Sequence, residues 1–255
     1  MGEFPMKKLF LSSAALCVLI LCGCSDSKSV DKQLNQAVSL AKQNKWQEVA
    51  DKAAELSKEY PQTVAPKLLQ VLAYEKAGEM IKAVDLARQC VKMAPNDFTA
   101  RYTLGRLYAA DPNRQADAFT ELEKAHSLNP KHNETLVLLC NLGIVRNEPN
   151  TGKYINTLQQ NLYPAAGRIL FFKGLHAAAN GKITEAVNCI YSAAYKSQKD
   201  PLLILEAARF IDNLGTEPRK AKNLYSMFIS IYSKESAPDQ ELLAEARKGC
   251  NSPRR

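Results

Sequence analysis

Leu104-Gly105, Tyr108, Ala118, Leu122, Ala125 and Pro130, divided by an Asp111-Pro112-Asn113 turn, form the stretch on which the fold turns. Apolar and small residues at three- and four-residue spacing on both sides of that turn describe two helices, each with one face turned inward. Pro130 stops the second helix, because proline has no amide hydrogen to continue the ladder. The residues just before repeat the same order. Leu72-Ala73-Tyr74-Glu75-Lys76-Ala77-Gly78-Glu79 leads to Ala83, Ala87, Cys90 and then Pro95. The offset between the two stretches is about 34 residues, a period that belongs to stacked helix pairs.

Working outward, looser copies appear on both sides. Ala37, Leu40, Trp46, Val49, Ala53, Leu56 and Pro61 make a first unit, with Asn44 where the later units carry glycine. Gly174, Gly181, Ala186, Ile190 and Ala193 make another, and Ala208, Gly215, Ala221 and Tyr225 a last one with an extra residue near Glu217-Pro218. Between Asn133 and Pro164 the pattern fades: Leu139-Cys140 opens a helix, 147–152 makes a long turn, and the following helix has no alanine signature. A closing helix from about Pro238 to Lys248 is expected to hide the apolar end of the array. An irregular helical bundle is the rival fold, in which the spacing is accidental.

These units resemble the tetratricopeptide repeat, which favours Leu-Gly and Tyr in its first helix, Gly at the turn, Ala in two close-packed slots of its second helix, and Pro after it. Leu104-Gly105, Tyr108, Ala118, Ala125 and Pro130 match, as do Tyr74, Gly78, Ala83, Cys90 and Pro95. The resemblance spans roughly Asp31 to Lys248. It implies an all-α, right-handed superhelical solenoid of about six helix pairs plus a C-terminal capping helix, over residues 33–249, followed by a tail at 250–255. It also implies a groove lined by first helices. The inward slots fall on Leu68 and Leu72, Tyr102 and Arg106, Val137 and Asn141, Phe171 and Leu175, and Leu205 and Arg209. Such a lining suits an extended peptide or an amphipathic helix. A glycan- or peptidoglycan-binding module is the alternative, which exposed Tyr102, Phe171 and Phe172 would favour.

The N-terminus carries a separate signal. Lys7 and Lys8 precede an apolar run from Leu9 to Leu21, and Leu21-Cys22-Gly23-Cys24 follows. That is the signal-peptide pattern, and the run is short for a membrane span. The last four residues resemble a bacterial lipobox, which implies cleavage after residue 23 and acylation (diacylglycerol and palmitate) of Cys24. Residues 24–32 then read as the lipidated Cys and a polar tether, and Met1 to Pro5 as a remnant before the better start at Met6. Ser25 follows Cys24, which by the same resemblance points to the periplasmic face of the outer membrane. The architecture resembles lipoproteins that support outer-membrane protein assembly and pilus secretin assembly, implying an envelope protein as partner.

The formal charge of +8 is spread along helices and interleaved with acids, the mark of a solvated surface and not of a nucleic-acid stripe. Cys90, Cys140, Cys189 and Cys250 lie beyond the leader. An even number in an exported chain admits a disulfide, but Cys90 and Cys140 sit in small-residue slots about one repeat apart, which reads as buried thiols and speaks against their pairing. His126, His132 and His176 lack metal-ligand spacing, and no nucleophile elbow or phosphate loop occurs, so neither cofactor nor catalysis is expected.

Overall fold

The structure, a computed structural model, describes residues 28–161 and 166–251. The leader, Cys24, the first tether residues and residues 252–255 lie outside the described residues. Among those described, the chain is thirteen α-helices and one 3-10 turn: α1 Lys28–Lys42, α2 Trp46–Glu59, α3 Val64–Lys76, α4 Met80–Met93, α5 Phe98–Ala109, α6 Gln115–Leu128, α7 Asn133–Arg146, α8 Thr151–Asn161, α9 Ala166–Ala179, α10 Ile183–Lys196, α11 Pro201–Leu214, α12 Pro218–Tyr232 and α13 Gln240–Asn251. No strand occurs among them. They pair in sequence as six hairpins followed by one helix, as the repeat period requires. Among the described residues the helices form two compact units, divided between Pro130 and Lys131.

Small residues fill the slots where paired helices meet. In the first unit Val49, Ala53 and Leu56 of α2, Ala83, Ala87 and Cys90 of α4, and Ala118, Leu122 and Ala125 of α6 are fully buried. Gly105 shows why one of these positions tolerates nothing larger. A Cβ there would lie 2.8 Å from Leu122 Cγ and 3.1 Å from the Leu122 amide nitrogen. In the second unit a Cβ on Gly174 would collide with Ile190 and with the Ala186 carbonyl. Contacts this close are unavailable to alanine unless the helices separate.

Turn chemistry separates the helices. Asn44 takes a left-handed φ of 59° between α1 and α2, the role Gly78 fills at 79° between α3 and α4. Asparagine is among the few side chains that tolerate this region, which is why it replaces glycine there. The extra residue between α5 and α6 is absorbed by a 3-10 turn at Pro112–Arg114, started by Asp111, whose Oδ1 accepts from the Asn113 amide at 2.9 Å.

Three boundaries differ from the sequence reading. α1 already begins at Lys28, because the polar residues of the tether suit a helix whose inward side starts only at Leu34 and Ala37. α13 starts at Gln240 and runs through Lys248 and Cys250 to Asn251, so two residues assigned to the tail are helical. Asp239 is the reason for its start, accepting from the amides of Glu241 and Leu242. The faded fourth pair is also intact: α7 and α8 approach through Gly143, whose absent Cβ leaves room for Thr151. Thr151 is fully buried and its hydroxyl donates to the Glu148 carbonyl at 2.6 Å. Tyr154, Ile155 and Leu158 supply the packing that alanines supply elsewhere.

Candidate functional site

The ten inward slots of the first helices divide into two groups by burial. Leu68, Leu72, Tyr102, Phe171 and Leu205 are buried. Leu68 packs with Cys90 and Ala100, and Leu72 with Ala37, Ala41 and Ala53. Phe171 and Leu205 belong to the main core of the second unit, around Ile190, Leu224 and Phe228. Tyr102 stacks on Phe98, one helical turn earlier, with ring centroids 5.9 Å apart and planes 9° from parallel. The aromatic positions that would serve a sugar are therefore inside the protein: Tyr102 is 8% exposed, Phe171 6% and Phe172 3%.

Arg106, Val137, Asn141, Leu175 and Arg209 remain half-open. Two of these have partners within the fold. Arg106 on α5 grips Glu75 on α3 with both nitrogens, Nη1 to Oε1 at 2.5 Å and Nη2 to Oε2 at 2.6 Å. Arg209 on α11 makes a similar two-pronged bond to Glu245 on α13, with Nε to Oε1 at 2.6 Å. A guanidinium matches a carboxylate in this forked geometry better than any other cation. The two arginines thus clamp successive inner helices together.

Beside Arg209 the structure places a residue that the inward slots do not include. Glu206 is half-buried on α11, with Arg168, Asp200 and Arg209 around it. Burial raises its carboxyl above the ordinary glutamate value, and Asp200 adds to the rise, while Arg168 and Arg209 oppose it. Arg168 Nη2 is held by Asp200 Oδ2 at 2.9 Å, and Asp200 Oδ1 in turn caps α11 through the Leu203 amide at 3.2 Å. Only its place one turn before Arg209 could have pointed to Glu206. Val137, Asn141 and Leu175 with Glu206 and Arg209 give the inner helices of the second unit a mixed apolar and charged lining.

Cys90 and Cys140 are buried in the core, and His132 serves as a helix cap. Cys90, Cys140, Cys189 and Cys250 are all free thiols. Burial pushes the Cys90 and Cys140 thiols up to about 12, the direction opposite to that of a nucleophile. His132 caps α7, its Nδ1 accepting from the Thr135 amide at 3.2 Å. Among the described residues no group of three His, Cys, Asp or Glu side chains is placed to hold a metal ion, and no helix is long and apolar enough to cross a membrane.

Neither a protein-family model nor a curated relative matches the sequence. Solved structures do match in fold. The crystal structure of MamA superposes with a TM-score of 0.56 at 18% identity, covering 64% of this chain and 95% of that one. A MamA fragment from Desulfovibrio magneticus RS-1, residue 41 to the end, gives 0.58 at 14% identity, covering 69% of this chain and 98% of that one. A thermophilic TPR protein from Thermus thermophilus gives 0.49 at 17%, covering 70% and 96%. Identities this low speak for architecture alone. With the buried small-residue slots and the six successive hairpins, the MamA superpositions establish a tetratricopeptide-like helical-repeat fold.

Proposed function

We propose that the protein is a non-catalytic scaffold, held in the bacterial envelope by acyl chains on Cys24, that binds a protein partner along its inner helices. The observation that carries this reading is the set of inner positions on α7, α9 and α11 that are neither fully buried nor uniformly charged. Val137 and Asn141 on α7, Leu175 on α9, and Glu206 and Arg209 on α11 are all half-open. An extended segment or an amphipathic helix places alternating apolar and charged side chains at that scale. Burial of Tyr102, Phe171 and Phe172 removes the stacking surface on which the glycan reading depended.

The lipid reading rests on Leu21-Cys22-Gly23-Cys24 behind an apolar run. Several acyl chains on one residue hold a protein at a bilayer stably, where one chain holds it marginally. On this reading the protein serves assembly of a membrane complex, on the periplasmic face of the outer membrane.

The test is a crosslinked capture from envelope membranes with three forms of the full chain: unaltered, Cys24→Ala, and Val137→Glu with Leu175→Glu. Expected is a defined set of envelope proteins with the unaltered form. The inner-helix variant, checked for unchanged melting, loses them, and Cys24→Ala moves the protein to the soluble fraction after a high-salt wash that screens headgroup contacts. An unaltered form that captures nothing beyond the inner-helix variant overturns the scaffold reading. Membrane association unchanged in Cys24→Ala overturns the anchor.

A further inference from the structure

The first unit has two unlike edges. One gathers the start of α1, the end of α2, the start of α3, the end of α4 and the start of α5. The meeting of the last three is visible in the cluster of Val64, Leu68, Cys90, Val91 and Ala100. Lys67 Nζ also donates to the Pro61 carbonyl at 3.3 Å. The opposite edge carries the turns within the hairpins, brought together where Lys76 sits over the Trp46 ring at 5.9 Å.

Charge is handled differently on the two. At the within-hairpin edge Lys45 pairs with Glu48 at 3.1 Å, Arg114 with Asp117 at 2.7 Å, and Lys82 with Glu79. Lys82 and Lys76 also lie over Tyr74 and Trp46, leaving Lys42 as the exposed base without such a partner among the described residues. At the between-hairpin edge Lys32, Lys58 and Lys92 are exposed, and none is ion-paired among the described residues. Glu59, and by position Asp31, are the acids that share it, while Asp97 is turned to cap α5 through the Ala100 amide at 2.7 Å. Exposed apolar side chains occur at both edges: Met93 and Leu128 close α4 and α6, two of the three second helices that end toward this side, and Met80 and Ile81 open α4 at the other.

We propose that this between-hairpin edge of the first unit is a docking surface for an anionic phospholipid bilayer. The inference rests on the acylation of Cys24 for its geometry. Four residue steps separate Cys24 from Lys28, the first residue of α1, a reach of at most about 14 Å fully extended. The fifteen residues of α1 rise about 22 Å, and the opposite edge begins where α1 ends. The tether is too short to span α1, so the edge it brings to the headgroups is the one with Lys32, Lys58 and Lys92. Exposed lysines near an anionic surface each add about fivefold in affinity, screened within a Debye length.

The experiment uses the mature chain with Cys24→Ala, so that no acyl chain contributes, and co-sedimentation with vesicles of one part phosphatidylglycerol to three parts phosphatidylethanolamine. Expected is binding that weakens with salt, falls at least tenfold in Lys58→Glu with Lys92→Glu, and changes less than twofold in Lys45→Glu with Lys82→Glu. Unchanged melting of both double variants ensures that the comparison reads the surface. Equal losses from the two edges, a larger loss from the within-hairpin edge, or no preference for phosphatidylglycerol over neutral vesicles overturns the proposal. Palmitate labelling of the full chain tests the anchor separately: label without an edge effect sinks the surface alone, and an edge effect without label sinks the anchor alone.

Discussion

His132 closes the second unit's first helix with an imidazole where most helices use a hydroxyl or a carboxylate, and that makes the cap sensitive to pH. Its Nδ1 must be unprotonated to accept from the Thr135 amide, and Thr135 itself is fully buried. Burial holds the His132 pKa below the usual histidine value, against the pull of Glu134, whose carboxylate lies 3.3 Å from Nε2. A base whose folded value is depressed contributes stability that is present above the unfolded value near 6.5 and is lost as pH falls through the folded one. Melting temperature should therefore drop between pH 7.5 and pH 5, and His132→Asp, which caps without taking up a proton in that range, should reduce the drop, the rest coming in part from His126, whose pKa burial also lowers. His132→Ala should cost about 1 kcal/mol at pH 7.5 by losing the cap. A pH profile unaltered by His132→Asp would show that the cap contributes nothing. The sequence offered His132 only as a histidine without metal spacing; its Thr three residues on is the trace of a cap, but His is a rare enough cap to pass unread. Gly105, by contrast, was legible from its place in the repeat, because the period itself says where helices touch.

Pairs of helices were readable because each carries its own pattern, whereas the ties between hairpins join residues that no local pattern links. Arg106 entered the inward slots as a residue available to a partner, yet Glu75, 31 residues earlier and one hairpin back, already occupies it. Both side chains are largely shielded, 17% and 21% exposed, so their bond is only weakly screened. Removing one member strands a charge in a poorly solvated place. Arg106→Ala should then lower stability by about 2 kcal/mol, and Glu75→Ala added to it should cost little more, since it removes the stranded carboxylate. Denaturant melts of the two single variants and the double one read the coupling, and simple additivity would mean that the bond between α3 and α5 does not hold them together. The same logic explains the faded fourth pair. Its close approach runs from Gly143 in the first helix to Thr151 at the start of the second, a pairing outside the alanine slots that define the other units.

At the scale of the whole chain, each of the two units holds one thiol fully inside: Cys90 in the first and Cys140 in the second. Both stand in small-residue slots, which is why an even count of cysteines did not become a disulfide framework; a thiol fills the space of a small apolar side chain where helices meet. Burial pushes both pKa values up to about 12, so neither ionises or meets reagent until its surroundings open. Cys189 and Cys250 are half-exposed and should react in the native protein. Replacing Cys189 and Cys250 by serine in the mature chain with Cys24→Ala, and then Cys90 or Cys140 by alanine in turn, leaves one buried reporter per unit. Under conditions where closing outpaces labelling, the labelling rate of each reporter gives the free energy of the opening that exposes it. If the units melt as one cooperative array, both reporters return the same value and shift together in urea. If they are separate folding units, Arg106→Ala should speed the labelling of Cys90 by roughly tenfold or more, the factor its stability cost implies. The rate at Cys140 should then stay within the error of the unaltered chain. Rapid labelling of either thiol in the untreated native protein would contradict the packing that places it at a helix contact.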